Sequence, residues 1–149
     1  MTATSGRVAI RPAISGDREA IERLLDERRL PPAGLQAHLG GFVVAREGGS
    51  LLGCAGLERY GEVGLLRSVA VAEGAEGHGL GAELVKAVIE RARTLRLRQL
   101  YLLTMSASGY FPRFGFETIA REALPSSLAA SEQLQGACPA SAVPMRLTL

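Results

Sequence analysis

The chain has no tryptophan, two cysteines and two histidines among its 149 residues. Cys54 and Cys138 form no Cys-x-x-Cys pair, and only His38 and His78 are there to join them, which argues against a metal site. Cys54, inside an apolar stretch, reads as core filler. No apolar run approaches the roughly 18 residues needed to span a bilayer, and the opening MTATSGRVAIRP lacks the apolar centre of a signal peptide. The expectation is a cytoplasmic protein without a membrane partner. An excess of one charge is also missing: 17 basic residues stand against 15 acidic ones, for a net charge of +2. With the arginines scattered, that is not a nucleic-acid footprint. The one local concentration, Arg91, Arg93, Arg96 and Arg98, suits either a solvated helix end or contact with a phosphorylated ligand.

What is present is a composition for folding. Hydrophobic residues make up 47% of the chain and charged ones 21%, which predicts one folded domain over residues 1–149. Residues 8–12 read as a first strand. Helical spacing of Ile21, Leu24 and Leu25 predicts a helix over 15–29, capped by Ser15 or Asp17 and stopped by Pro31-Pro32. A short helix over 33–39 follows. GFVVARE and SLLGCAGLERY read as strands joined by a Gly48-Gly49 turn, and VGLLRSVAV as a central strand. Leu80, Leu84, Val88 and Ala92 mark a long amphipathic helix. QLYLLT is a buried strand, 107–114 a short helix, FETIA a strand, 125–135 a helix and 142–149 a last strand. This order predicts an α/β sandwich around a mixed sheet. The last strand could be shared in a homodimer.

Between the central strand and the long helix lies EGHGLGA, with glycines at 77, 79 and 81. Without Cβ atoms the backbone can approach a bulky anion, and the helix that follows adds free N–H groups and a positive dipole end. Gly77-x-Gly79-x-x-Ala82 also fits a dinucleotide fingerprint, but no Asp or Glu occurs between Glu90 and Glu117 to hold a ribose. No Lys-Ser/Thr pair follows the glycines, which excludes a Walker loop. Glu76 is the puzzle, because a carboxylate should repel a phosphate.

VAVAEGAEGHGLGAELV resembles the cofactor-binding motif of the GNAT acetyltransferase superfamily, Arg/Gln-x-x-Gly-x-Gly/Ala, and YFPRFGFE resembles its second landmark. LLRSVAV, LYLLT, GYFPRFGF and CPASAVPM are similar to the arsenic-resistance branch, close to arsinothricin- and phosphinothricin-type N-acetyltransferases and short acetylglutamate synthases. The resemblance implies a GNAT-like, mostly antiparallel sheet of about seven strands flanked by helices. It also implies acetyl-CoA as cosubstrate, its diphosphate held by backbone N–H groups of the loop Glu76, Gly77, His78, Gly79, Gly81 and Ala82. Glu76 stands where the family has Arg or Gln. Because the backbone donates, an exposed Glu76 pointing away predicts weakened cofactor binding, not its absence.

The resemblance further implies that Val69 and Val71 pair with the pantetheine arm and that an N–H near Val69 or Ala70 serves the oxyanion formed when an amine attacks the thioester. Glu58 and Glu62, at strand ends, are candidates to take the amine's proton, though each also reads as a solvated charge. The family's thiolate-protonating tyrosine sits four residues before the Gly of Gly-Phe. That position is Phe111 here, and Tyr110 is one residue, about 100° of helix, out of register. Arg67, in an otherwise apolar strand, needs an anionic partner: Glu58, or the carboxylate of an amino-acid-like acceptor. Arg11 is a weaker candidate for that carboxylate. Ser68 is expected on the opposite face. By resemblance the segment 138–141, with Ser141, lines the acceptor pocket.

The leading expectation is N-acetylation of a small amino-acid-like amine, an arsenic- or phosphorus-containing glutamate analogue. Biosynthetic acetylation of glutamate, acetylation of a protein or peptide, and a cofactor-binding sensor without catalysis are the alternatives.

Overall fold

A computed structural model describes residues 8–137 and 141–149. Seven strands form one sheet in the order β1-β2-β3-β4-β5-β7-β6. The strands are β1 (Ala9–Pro12), β2 (Phe42–Glu47), β3 (Ser50–Tyr60), β4 (Val63–Val71), β5 (Gln99–Thr104), β6 (Glu117–Thr118) and β7 (Val143–Thr148). All neighbours are antiparallel except β4 and β5. This is the mixed, mostly antiparallel sheet that the resemblance implied. β7 is flanked within the chain by β5 and β6, so the last strand is interior rather than an edge offered to a second copy.

The helices fall on opposite faces because their apolar stripes demand it. In α1 (Arg18–Glu27) the stripe is Ile21, Leu24 and Leu25, which packs with Leu35 of the short α2 (Leu35–His38) and with Phe42, Val44, Cys54 and Ala70 of the sheet. In α3 (Leu80–Thr94) Leu84, Val85, Val88, Ile89 and Ala92 cover the other face, against Val43, Ala45, Ala55, Leu57 and Leu66. Fully burying one such aliphatic side chain contributes about 1.5–3 kcal/mol.

Local expectations fail where tertiary partners compete. Asp17 sits at the start of α1, but its carboxylate accepts from the Ile14 N–H at 2.8 Å, from Arg11 at 2.8 Å and from Arg46 at 3.0 Å, not from the helix. The expected helix over 107–114 shrinks to a 3-10 turn, Phe111–Phe114, with Pro112 in its first turn. The helix expected over 125–135 is instead a 3-10 turn, Ser126–Ala130, and a π-type turn, Gln133–Ala137. Between them Ser131 is fully buried and donates to Glu58 at 2.6 Å, a contact a continuous surface helix would not make.

Candidate active site

Two irregularities of β4 build the site. Its parallel pairing with β5 covers only Val63–Leu65 against Gln99–Tyr101, after which the two strands part. On the β3 side the register shifts: Cys54 faces Ala70 and Gly56 faces Arg67, so Ala55 stands opposite both Ser68 and Val69. This is a β-bulge, and Ser68 within it has a left-handed φ of 58°. The extra residue resets the alternation of side chains. Leu66, Val69 and Val71 all join the α3 side, while Arg67 and Ala70 go to the α1 side. Ser68 stays with Arg67, whose Nε donates to its Oγ at 2.8 Å, contrary to the opposite-face expectation.

The parted strands open into two adjoining cavities. The one nearer the glycine loop encloses about 410 Å³ and is lined by Val69, Val71, Glu76, Gly77, Gly79, Gly81, Ala82 and Tyr110, among others. Gly77 and Gly79 have φ of 87° and 77°, and a Cβ on either would meet no atom within 4 Å. Their requirement is therefore backbone conformation, not local space. Glu83 N–H already bonds to Gly79 O at 3.1 Å, which leaves the N–H groups of Leu80, Gly81 and Ala82 without a partner inside the helix. These amides, the dipole of a 15-residue helix, and the guanidinium groups of Arg28 and Arg113 on the same wall fit a diphosphate. Val69 and Val71 line this cavity between the glycine loop and the larger cavity.

Glu76 is exposed but not unpartnered. Its Oε2 accepts from Arg28 Nη2 at 2.6 Å, a contact across 48 residues of sequence. His78 is exposed and absent from the cavity wall. Tyr110 is half-buried, its ring edge-on to Phe111 and Phe114 at 5.3 and 5.5 Å, with Arg113 stacked at 4.2 Å. Its hydroxyl lies 3.6 Å from where a Cβ on Gly81 would stand. The one-residue offset thus puts Phe111 in the core and Tyr110 at the start of α3.

The second cavity, about 770 Å³, lies between the parted ends of β4 and β5. Arg28, Arg29 and Arg67 are in its wall, with Ser68, Thr104, Ser106 and Gln133, and no carboxylate lines it among the described residues. Arg67 is buried, stacked over Phe42 at 5.5 Å, and already heavily used. Its Nη1 donates to Glu58 at 2.7 Å and to the Ala33 carbonyl, Nη2 to the Pro31 carbonyl at 3.1 Å, and Nε to Ser68. Four of five N–H groups are spent, so paired hydrogen bonds to an acceptor carboxylate are not available from this side chain. Arg29 has no side-chain partner among the described residues.

Glu58 is fully buried and lines neither cavity. Burial pushes its carboxyl up, but hydrogen bonds from Ser131, Tyr60 and Arg67, with His38 close by, outweigh that and hold it below its ordinary value. Tyr60 donates to it at 2.6 Å and has its own phenol pushed up to about 12, by burial and by that hydrogen bond. A carboxylate so occupied is a counter-ion, and the geometry argues against Glu58 as the base. Glu62 is exposed and paired with Arg98 at 3.1 Å, remote from both cavities. Arg11 is committed to Asp17 on the far edge strand. Ser141 is exposed, 3.8 Å from Met105 Sδ at the rim of the larger cavity, and the rest of the segment 138–141 lies outside the described residues. Sequence reasoning missed Arg28, Arg29, Ser131 and Gln133. Their places depend on how the end of α1 and the segment after β6 fold over β4. The only signal was two adjacent arginines at a helix end.

The sequence matches the acetyltransferase (GNAT) family over residues 10–116. The chain belongs to that family. Acetyl-CoA is the family's cosubstrate, in keeping with the loop geometry. The chain is 30% identical over 131 residues to an amino-acid acetyltransferase of Neisseria meningitidis, covering 80% of this chain and 30% of that protein. It is 35% identical over 101 residues to the amino-acid acetyltransferase of Ralstonia nicotianae, covering 66% and 22%. It thus spans less than a third of the length of these curated relatives. Among solved structures, N-acetylglutamate synthase of Neisseria gonorrhoeae in complex with coenzyme A and N-acetyl-glutamate superposes with a TM-score of 0.81 at 26% identity, covering 95% of this chain and 35% of that one. A Mycobacterium tuberculosis protein in complex with CoA shares the fold, with a TM-score of 0.78 at 24% identity over 95% and 99% of the two chains.

Proposed function

We propose that this GNAT protein is an N-acetyltransferase whose acceptor is a small acidic amino acid, glutamate or a close analogue. The observation that carries this reading is the larger cavity, directly beside the loop suited to a diphosphate. Among the described residues no carboxylate lines its wall, and of its three arginines Arg67 and Arg28 are paired with Glu58 and Glu76 while Arg29 has no side-chain partner. An anionic acceptor is favoured there and a cationic one, such as a lysine side chain, is disfavoured. The names of the relatives agree with an amino-acid substrate. The same cations suit phosphinate and arsinate analogues of glutamate, which therefore belong in the test.

Acetyl-CoA supplies the activated thioester. The loop amides of 77–82 hold its diphosphate, and the backbone of Val69 and Val71 aligns the arm along the freed side of β4. An N–H near Val69, beyond the residues of β4 that pair with β5, serves the thioester oxygen, whereas that of Ala70 is turned to Cys54; one such donor is typically worth about 10²–10³ in rate. Arg29 holds the acceptor's carboxylate. Tyr110, at the start of α3, hands a proton to the departing sulfur. No carboxylate or histidine lines the acceptor cavity among the described residues, so the amine loses its proton to water and positioning supplies much of the acceleration.

Thiol release from acetyl-CoA is measured with a panel of amino acids, their phosphinate and arsinate analogues, and a lysine peptide. Turnover of glutamate or its anionic analogues is expected. Preference for the peptide or for neutral amines would refute the acceptor class, and CoA binding with no turnover of any acceptor would favour a sensor.

A further inference from the structure

The family pattern has Arg or Gln at position 76, and this chain has an acid there while keeping a loop shaped for phosphate. A bare carboxylate there would oppose the helix dipole and the loop amides. The structure instead brings Arg28, from the C-terminal end of α1, onto Glu76 Oε2 at 2.6 Å. Arg28 is also in the wall of both cavities, so its guanidinium stands at their junction, with Arg113 lining the same diphosphate cavity. The Arg28 and Glu76 side chains are 37% and 51% exposed. A pair so exposed contributes little to folding, and stability does not explain it. Only Nη2 is engaged, and the other N–H groups of Arg28 have no partner among the described residues. A planar guanidinium can hold a carboxylate along one edge and a phosphate along another.

We infer that Arg28 is the cation presented to the donor's diphosphate from outside the loop, and that Glu76 is a positioning residue that holds it there. This rests on the reading that the glycine loop takes the diphosphate of acetyl-CoA. It reverses the naive sign for Glu76: the carboxylate next to a diphosphate helps binding because it organises a cation that would otherwise swing into solvent.

The test compares dissociation constants of coenzyme A and of pantetheine, which lacks the diphosphate, in the parent, Arg28→Gln, Glu76→Gln and the double variant. Thermal melting checks that all four fold alike. Arg28→Gln is expected to weaken coenzyme A roughly fivefold, as for loss of one exposed charge-assisted contact, and to leave the dissociation constant of pantetheine unchanged. Glu76→Gln should also weaken coenzyme A, by roughly threefold if part of the positioning is lost, although it removes a negative charge. The double variant should be no weaker than Arg28→Gln alone. Tighter binding by Glu76→Gln would overturn the inference, since simple repulsion would then rule. So would an Arg28→Gln enzyme with parental coenzyme A affinity and a raised acceptor KM. If the parent itself binds no coenzyme A, the reading of the loop falls, and this inference with it.

Discussion

Arg29 closes α1 in a conformation that costs energy, and replacing it separates its structural role from its chemical one. The end of α1 is a Schellman motif: Leu30 N–H bonds to Leu25 O at 2.8 Å and Arg29 N–H to Asp26 O at 3.1 Å, with Arg29 at φ 58° where glycine is usual. The end of α3 repeats it, with Leu97 N–H to Ala92 O at 3.0 Å and Arg96 at φ 63°. A left-handed non-glycine residue costs roughly 1–2 kcal/mol, and the greater freedom of glycine in the unfolded chain takes back about 0.5–1 kcal/mol. Arg29→Gly and Arg96→Gly should therefore each stabilise by roughly 0.5–1 kcal/mol, a rise of about 1–4 °C in Tm for a domain of this size. Their kinetics should differ, because only Arg29 lines the acceptor cavity. Loss of a guanidinium–carboxylate contact, discounted for solvent screening, is worth about 1–2 kcal/mol, so KM for glutamate should rise roughly 5- to 30-fold with kcat little changed. Arg96→Gly should leave KM alone. Thermal melting and steady-state thiol release on the two variants decide it. Equal KM values would refute Arg29 as an acceptor contact, and a fall in Tm for both would refute the backbone argument.

Glu58→Gln leaves the Arg67 guanidinium buried without its counter-charge, and denaturant melts should show a loss of about 3–5 kcal/mol; a change under 1 kcal/mol would mean that the pair is dispensable. Glu58 and Asp17 are both held below the ordinary carboxylate range, Asp17 by the Arg11 hydrogen bond with help from the Ile14 N–H and Arg46. A lowered folded pKa stabilises above the unfolded value and ceases to do so as pH falls through the folded one. Stability should thus drop as pH goes below about 4.5, and Asp17→Asn should flatten that slope in pH-dependent melts. Burial pushes the Cys54 thiol up to about 12, so peptide mapping after iodoacetamide should find it unmodified until the protein is denatured. Tyr110→Phe should lower kcat by about 100-fold if the phenol is the general acid, and parental rates across several pH values would remove that role.

Much of the fold was legible along the chain because its signals are local. The stripe Leu80–Ala92 needs only the 3.6-residue period, the Gly48-Gly49 turn only two flexible residues, and the glycine loop only its place between strand and helix. The acceptor site was not legible, for the same reason. Period two puts Arg67, Val69 and Val71 on one face of β4, and only the bulge at Ser68 separates them. Glu58 reads as a solvated strand end until Ser131, 73 residues later, folds over it.

By itself the sequence determined the order of the strands and main helices, the glycine loop between strand and helix, and the family, all of which follow from short-range spacing and backbone freedom. Tertiary structure alone decided where β4 leaves β5, which carboxylate neutralises Arg67, and which arginine reaches Glu76. Those outcomes depend on contacts between segments far apart in the chain, where burial makes an unsatisfied charge costly and only the packed geometry says which partner is near enough to satisfy it.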